Sequence, residues 1–101
     1  MPRDPLDALI RLRRLVLEEA MRELGARLAE EAEAVAAVTR IEALIAAEQD
    51  AASRLDADDA AVEGFGRWLR RVNQERAAAA AARNRAEGET ARARAVLGVA
   101  R

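Results

Sequence analysis

Acid–base or nucleophilic chemistry in this chain would fall to carboxylates and hydroxyls, because the sequence contains no histidine and no cysteine. The usual catalytic triads and most transition-metal sites are thereby excluded. Ser53 is the only serine, and the sequence offers it no base. The adjacent acids Glu18-Glu19 and Asp58-Asp59 could serve as paired carboxylates only if they were buried, and we expect them to be solvated helix surface. The residues therefore predict no enzyme, no metal site and no cofactor.

The two aromatic residues of the chain, Phe65 and Trp68, lie together in the segment EGFGRW. Its glycines do not make a phosphate-binding loop, since the lysine and the preceding strand are missing. Phe65 falls on an apolar stripe and is expected to pack in a core. Trp68 lies one residue off that stripe, where it either covers the edge of the core or anchors a partner, a role in which tryptophan is enriched. Gly64 and Gly66 would then leave small surface beside the rings for docking.

Long helices are the elements that must position these residues. Hydrophobic residues make up 51% of the chain but aromatics only 2%, and charged residues make up 35%. Such a composition, rich in alanine, glutamate, arginine and leucine, is typical of coiled coils. Both prolines precede residue 6, so nothing interrupts a helix afterwards.

The first helix is predicted from about residue 5 to about residue 55. Asp4 can cap its free amides, and Pro5 suits the first helical position. Apolar residues then recur at alternating spacings of three and four, with polar residues at some of the positions. The apolar members of this stripe are Ile10, Leu17, Met21, Leu24, Leu28, Val35, Val38, Ile45 and Ala52.

The second helix is predicted from about residue 57 to about residue 98, after a turn near residues 55–58. We expect Asp56 to be its N-cap and Asp58 and Asp59 to lie in its first turn, where the helix dipole favours negative charge. Its stripe comprises Val62, Phe65, Leu69, Val72, Arg76, Ala79, Arg83, Ala86, Thr90, Ala93 and Leu97.

Two long helices joined by a few residues predict an all-α fold, a single antiparallel coiled-coil hairpin over residues 1–101. Residues 15–63 carry thirteen acids and four arginines, whereas residues 64–101 carry nine arginines and three acids. This asymmetry favours pairing within the chain. Folding about position 56 or 57 also sets Gly25 opposite Gly88, where two backbones could approach closely.

Net charge of −1 gives no overall attraction to nucleic acid or anionic lipid. The arginine-rich second helix lies beside an acidic one, which argues against nucleic-acid binding. Arg11, Arg13 and Arg14 interrupt the apolar N-terminus, so it does not resemble a signal peptide. We expect a cytoplasmic protein. An amphipathic membrane binder that uses LIRLRRLVLEEAM remains an alternative, although the acids of that helix argue against it.

Two segments resemble the FliJ family of flagellar type III export proteins and its YscO-like relatives. LDALIRLRRLVLEEAMREL resembles the family's leucine-rich N-terminal pattern, in which an acidic pair leads into small residues. FGRWLRRV resembles its aromatic segment early in the second helix. The resemblance implies an antiparallel two-helix coiled coil similar to the rotor stalk of rotary ATPases. Because family members continue their second helix further, we expect the ATPase-binding end to be reduced or the sequence to be incomplete.

The resemblance implies two partners and, as a further role, the escort of export chaperones. The region beyond the turn would meet the export gate, with Phe65, Trp68, Leu69 and Val72 as its candidates. The helix ends would enter the ring of the export ATPase, with Arg11, Arg13, Arg14, Arg92 and Arg94 as candidates. Contact with the cytoplasmic face of the membrane would be made through these partners only. The alternative function is that of a coiled-coil adaptor or oligomerisation protein unrelated to export.

Overall fold

Two long helices pair in antiparallel orientation. The computed structural model describes residues 4–54 and 58–101. Helix α1 spans Pro5–Ser53 and helix α2 spans Asp59–Ala100. Within the described ranges the chain contains no strand. The predicted all-α hairpin is confirmed.

The first helix begins as its sequence predicts. The amide of Leu6 donates a hydrogen bond to Oδ1 of Asp4 at 3.0 Å. The amide of Asp7 donates to the backbone carbonyl of Asp4, also at 3.0 Å. Pro5, which has no amide hydrogen to satisfy, is the first helical residue.

The second helix is capped by Asp58, two residues later than the predicted Asp56. The amide of Ala61 donates to Oδ1 of Asp58 at 2.8 Å, which satisfies one of the free amides of the first turn. Asp59 is the first helical residue and carries its acid in the first turn, as expected. Asp56 and the rest of the predicted turn, residues 55–57, lie outside the described residues.

The hairpin divides into two compact units, each built from part of both helices. The first unit combines α1 up to Glu31 with α2 from Arg85, and the second unit comprises residues 32–84. The buried residues of the first unit are Ala20, Thr90, Ala93 and Leu97. Those of the second unit are Val38, Ile45 and Val72.

The predicted stripe of α2 is confirmed along most of its length. Its buried members are Val72, Thr90, Ala93 and Leu97, and its half-buried members are Phe65, Leu69, Ala79, Arg83 and Ala86. Val62 and Arg76 are exposed and form its exceptions. Its members recur at spacings of three and four residues, so they lie on one face of α2.

The predicted apolar stripe of α1 is wrong at four of its nine positions. Leu17, Leu24, Val38, Ile45 and Ala52 are buried or half-buried as predicted, whereas Ile10, Met21, Leu28 and Val35 are exposed. The positions one residue before the last three, Ala20, Arg27 and Ala34, face the interior instead. Small side chains and the aliphatic stem of an arginine fit the narrow space between two helices better than long apolar ones do.

The register of the first unit differs from the predicted one by about a turn. The hydroxyl of Thr90 donates to the backbone carbonyl of Arg27 at 3.3 Å. Folding about position 56 or 57 would instead set Arg27 opposite a residue between Arg85 and Glu87. A Cβ atom added at Gly25 or at Gly88 would meet nothing within 4 Å. The predicted close approach of these two glycines is therefore wrong, because the shifted register separates them.

Candidate partner-binding surfaces

The two aromatic rings form a stacked pair in the second unit. The ring centroids of Phe65 and Trp68 lie 5.7 Å apart, and the ring planes meet at 29°. The residues are three apart on α2, so their side chains are neighbours on the helix surface. Both are half-buried. Each ring therefore rests partly on the hairpin and presents its remaining area to solvent.

The four residues predicted to contact the export gate separate into two groups. Phe65, Trp68 and Leu69 are half-buried and keep accessible surface. Val72 is only 4% exposed, because it lies in the interface between the two helices. Val72 therefore offers almost no surface to a partner while the hairpin is closed.

The surface beside the rings is basic. A Cβ atom added at Gly64 would lie 3.8 Å from a terminal guanidinium nitrogen of Arg67, and one at Gly66 would lie 3.8 Å from that of Arg70. These are ordinary contact distances to flexible side-chain ends, so the two glycines are not required by crowding. Because glycine has no side chain, the helix backbone is accessible beside Phe65 and Trp68. The side chains of Arg67 and Arg70 lie at the edge of this surface.

An apolar groove lies between the two helices in the first unit, at the end that contains both termini of the described chain. We call it the open-end groove. It has a volume of about 720 Å³. Its lining comprises Leu9, Leu12, Arg13 and Val16 from α1 and Ala95, Val96, Val99 and Ala100 from α2. Seven of these eight side chains are apolar, so the groove can receive an apolar surface.

The five arginines predicted to enter the ATPase ring are all exposed, but they do not share one surface. Arg13 lines the open-end groove. Arg92 precedes Ala95, Val96 and Val99 by three, four and seven residues, which places it on the same face of α2. It forms an ion pair with Glu89. The other three, Arg11, Arg14 and Arg94, are not among the lining residues, and helical spacing turns them away from the groove.

The exposed apolar surface at the start of α1, part of which lines the open-end groove, is absent from the predicted partner-binding sites. Large apolar side chains at the start of α1 are at least half exposed: Leu6, Leu9, Ile10, Leu12, Leu15 and Val16. The sequence does indicate this exposure, because the apolar residues of the segment LDALIRLRRLVL occupy almost every side of the helix. One partner helix cannot cover such a segment, and a helix that is apolar nearly all round is normally buried.

Arg27 is the centre of an ion-pair network that ties the helices of the first unit together. Its guanidinium contacts Oε1 of Glu23 at 2.7 Å and Oε2 of Glu30 at 3.1 Å on α1. A longer contact, 3.8 Å, reaches Oε2 of Glu89 on α2. The hydrogen bonds to Glu23 and Glu30 raise the pKa of Arg27 above its ordinary value. Its contact with Glu89 and the hydrogen bond from Thr90 both join the helices and show the register of the first unit.

Among the described residues, no group of three or more acids could hold a metal ion. No helix in the described ranges is long and apolar enough to cross a membrane. Comparisons with protein-family models, with curated proteins and with solved structures find no match for the chain.

Proposed function

We propose that the chain is a non-enzymatic coiled-coil component of the flagellar type III export apparatus, which couples the export ATPase to the export gate. In this proposal it also escorts export chaperones and works in the cytoplasm, at the membrane face only through its partners. The observation that supports the proposal is the antiparallel hairpin with one accessible contact surface in each unit. A coupler acts through such contacts and needs no catalytic group of its own.

The gate contact is assigned to the aromatic pair. Phe65 and Trp68 offer partly open rings, and Leu69 lies beside them on the same helix. Aromatic side chains of this kind are frequent anchors of protein interfaces, because they bury a large area at a small cost in conformational entropy. Val72 serves this surface indirectly, since its packing holds that part of α2 in place.

The ATPase contact is assigned to the basic end of the first unit. Arg13 and Arg92 flank the apolar lining of the open-end groove, and Arg11, Arg14 and Arg94 add positive charge around the same turns. Long-range attraction from such a cluster increases the rate at which an acidic surface is found. The apolar lining would then supply the short-range contact.

The proposal is tested by ATP hydrolysis of the same organism's flagellar export ATPase at low enzyme concentration, with and without this chain. We expect stimulation. The double variant Arg13→Glu and Arg92→Glu should raise the concentration needed for half-maximal stimulation at least about tenfold, because opposite charges replace two contacts. Trp68→Ala should stimulate as the unchanged chain does, since its contact is with the gate.

Absence of both stimulation and co-purification with the ATPase would overturn the ATPase half of the proposal. A component that contacts the export gate alone would then remain, as would the second candidate, a coiled-coil adaptor without a role in export. One observation suits that candidate equally well: the exposed apolar residues at the start of α1 can contact any helical partner.

A further inference from the structure

The open-end groove is an unfilled apolar site. Leu12 is 56% exposed and Val96 is 59% exposed, although both line the same concave surface between two helices. Leu9, Val16 and Val99 are likewise at least half exposed. Apolar side chains that converge from two helices without covering one another have the arrangement of a groove that receives a third helix.

The charge around the groove selects the kind of helix that fits. Residues 8–17 and 91–101 contain no aspartate and no glutamate. Their six arginines are Arg11, Arg13, Arg14, Arg92, Arg94 and Arg101. Asp7, Glu18 and Glu89 lie just outside these ranges, and Glu89 forms an ion pair with Arg92. Of the six arginines, Arg13 lines the groove and Arg92 lies on the same face of α2, whereas no aspartate or glutamate is among the lining residues.

We propose that the open-end groove binds an amphipathic α-helix of a partner protein, with an apolar face and acidic flanks. The apolar face would lie on Leu9, Leu12, Val96 and Val99, and the acidic flanks would face Arg13 and Arg92. A second copy of this chain that presented the same groove would bring its own Arg13 and Arg92 against these two arginines, so like charges oppose that arrangement. The concave shape favours a helix over a flat bilayer. This inference rests on the groove alone and is independent of the export role.

Binding is tested with two designed, fluorescein-labelled helical peptides of about 20 residues, long enough to be helical in the groove. They share one leucine-rich face and differ only in carrying glutamate or lysine on the other face. Fluorescence anisotropy with the full chain should give a dissociation constant at least about tenfold lower for the glutamate peptide. Raising the salt from about 0.05 M to about 0.5 M should weaken that binding, because it screens exposed charges.

Matched serine variants locate the binding site. Leu12→Ser and Val96→Ser lie in the groove, whereas Leu44→Ser and Val62→Ser remove side chains of similar exposure, 47% and 58%, in the second unit. All four should keep their helix content, since each replaced side chain is about half exposed. The two groove variants should bind the glutamate peptide roughly tenfold more weakly, and the two controls should bind it unchanged.

Equal binding of the two peptides, or loss of binding in the controls as well as in the groove variants, would overturn the proposal. Flotation with vesicles of phosphatidylcholine and phosphatidylglycerol, abolished by Leu12→Ser while neither peptide binds, would assign the groove to lipid instead. Sedimentation showing a dimer that Leu12→Ser dissociates would assign it to a second copy. Selective binding of the glutamate peptide, with neither stimulation of the ATPase nor co-purification with it, would keep the groove and remove the ATPase half of the export role.

Discussion

Replacement of Val72 with aspartate should unfold the second unit or lower the free energy of unfolding by at least about 3 kcal/mol. Val72 is 4% exposed, the lowest exposure among the buried apolar residues of the described chain. A carboxylate at this position would lose its water without gaining a partner, since the other buried residues of the second unit, Val38 and Ile45, are apolar. Far-ultraviolet circular dichroism during urea denaturation measures the loss.

Val62→Asp is the matched control for this prediction. It places the same carboxylate on the same helix, but Val62 is 58% exposed, so the charge stays in water. We expect a change within about 0.5 kcal/mol of the unchanged chain. If Val72→Asp denatured at the same urea concentration as Val62→Asp, then Val72 would not lie between the helices, and the packing of the second unit would be different.

Leu97→Ala should lower the free energy of unfolding by about 2–3 kcal/mol, near the low end for a buried leucine, because a two-helix interface can partly close over the lost volume. Leu97 is 6% exposed in the first unit. Its neighbour Val96 is 59% exposed. Val96→Ala should therefore change stability by no more than about 0.5 kcal/mol. Thermal denaturation of both variants measures the difference.

The comparison of these adjacent residues tests which face of α2 is turned inward. A larger loss for Val96→Ala than for Leu97→Ala would mean that α2 is rotated by about one residue, roughly 100° around its axis. That rotation would bury Val96 and remove the open-end groove. The result expected from the structure, a loss at Leu97 only, leaves Val96 available to a partner.

The helices and the face of α2 could be predicted because several local signals agree. Asp4 and Pro5 mark the start of α1, and the acids around Asp58 mark the start of α2. The sequence predicts the N-cap of α2 two residues too early, at Asp56, since any of three aspartates in four residues can cap the helix and only the folded geometry selects Asp58. The stripe of α2 is visible because few other large apolar residues compete with it.

The buried face of α1 could not be predicted with the same success, because the larger apolar residues of this helix do not lie on its buried face. Met21, Leu28 and Val35 are larger than Ala20 and Ala34 and more apolar than Arg27, so a search for a hydrophobic stripe selects them. The interface instead takes the smaller side chains and an arginine whose charged end reaches three glutamates. The predicted register is wrong for the same reason, since the register depends on which side chains meet between the two helices.

The candidate surfaces were predicted in part. The sequence alone indicates Phe65 and Trp68, and the structure pairs their rings. Val72, one of the same set, is buried between the helices, whereas Phe65 and Leu69 lie on the same stripe and keep accessible surface. Of the arginines at the helix ends, Arg13 and Arg92 share the groove face. The groove itself requires both helices and their register, so no single segment of sequence contains it.

The antiparallel register set by Thr90 and Arg27 is the central claim, because it builds the open-end groove. Disulfide cross-linking tests it directly, since the chain has no cysteine of its own. Leu24→Cys with Ala93→Cys should form an intrachain disulfide rapidly, because these positions lie three residues before Arg27 and three after Thr90 and so meet in the same register. Gly25→Cys with Gly88→Cys should cross-link at least about tenfold more slowly, because a disulfide needs Cα atoms within about 7 Å. Faster cross-linking of the glycine pair, or disulfides only between chains, would contradict the account.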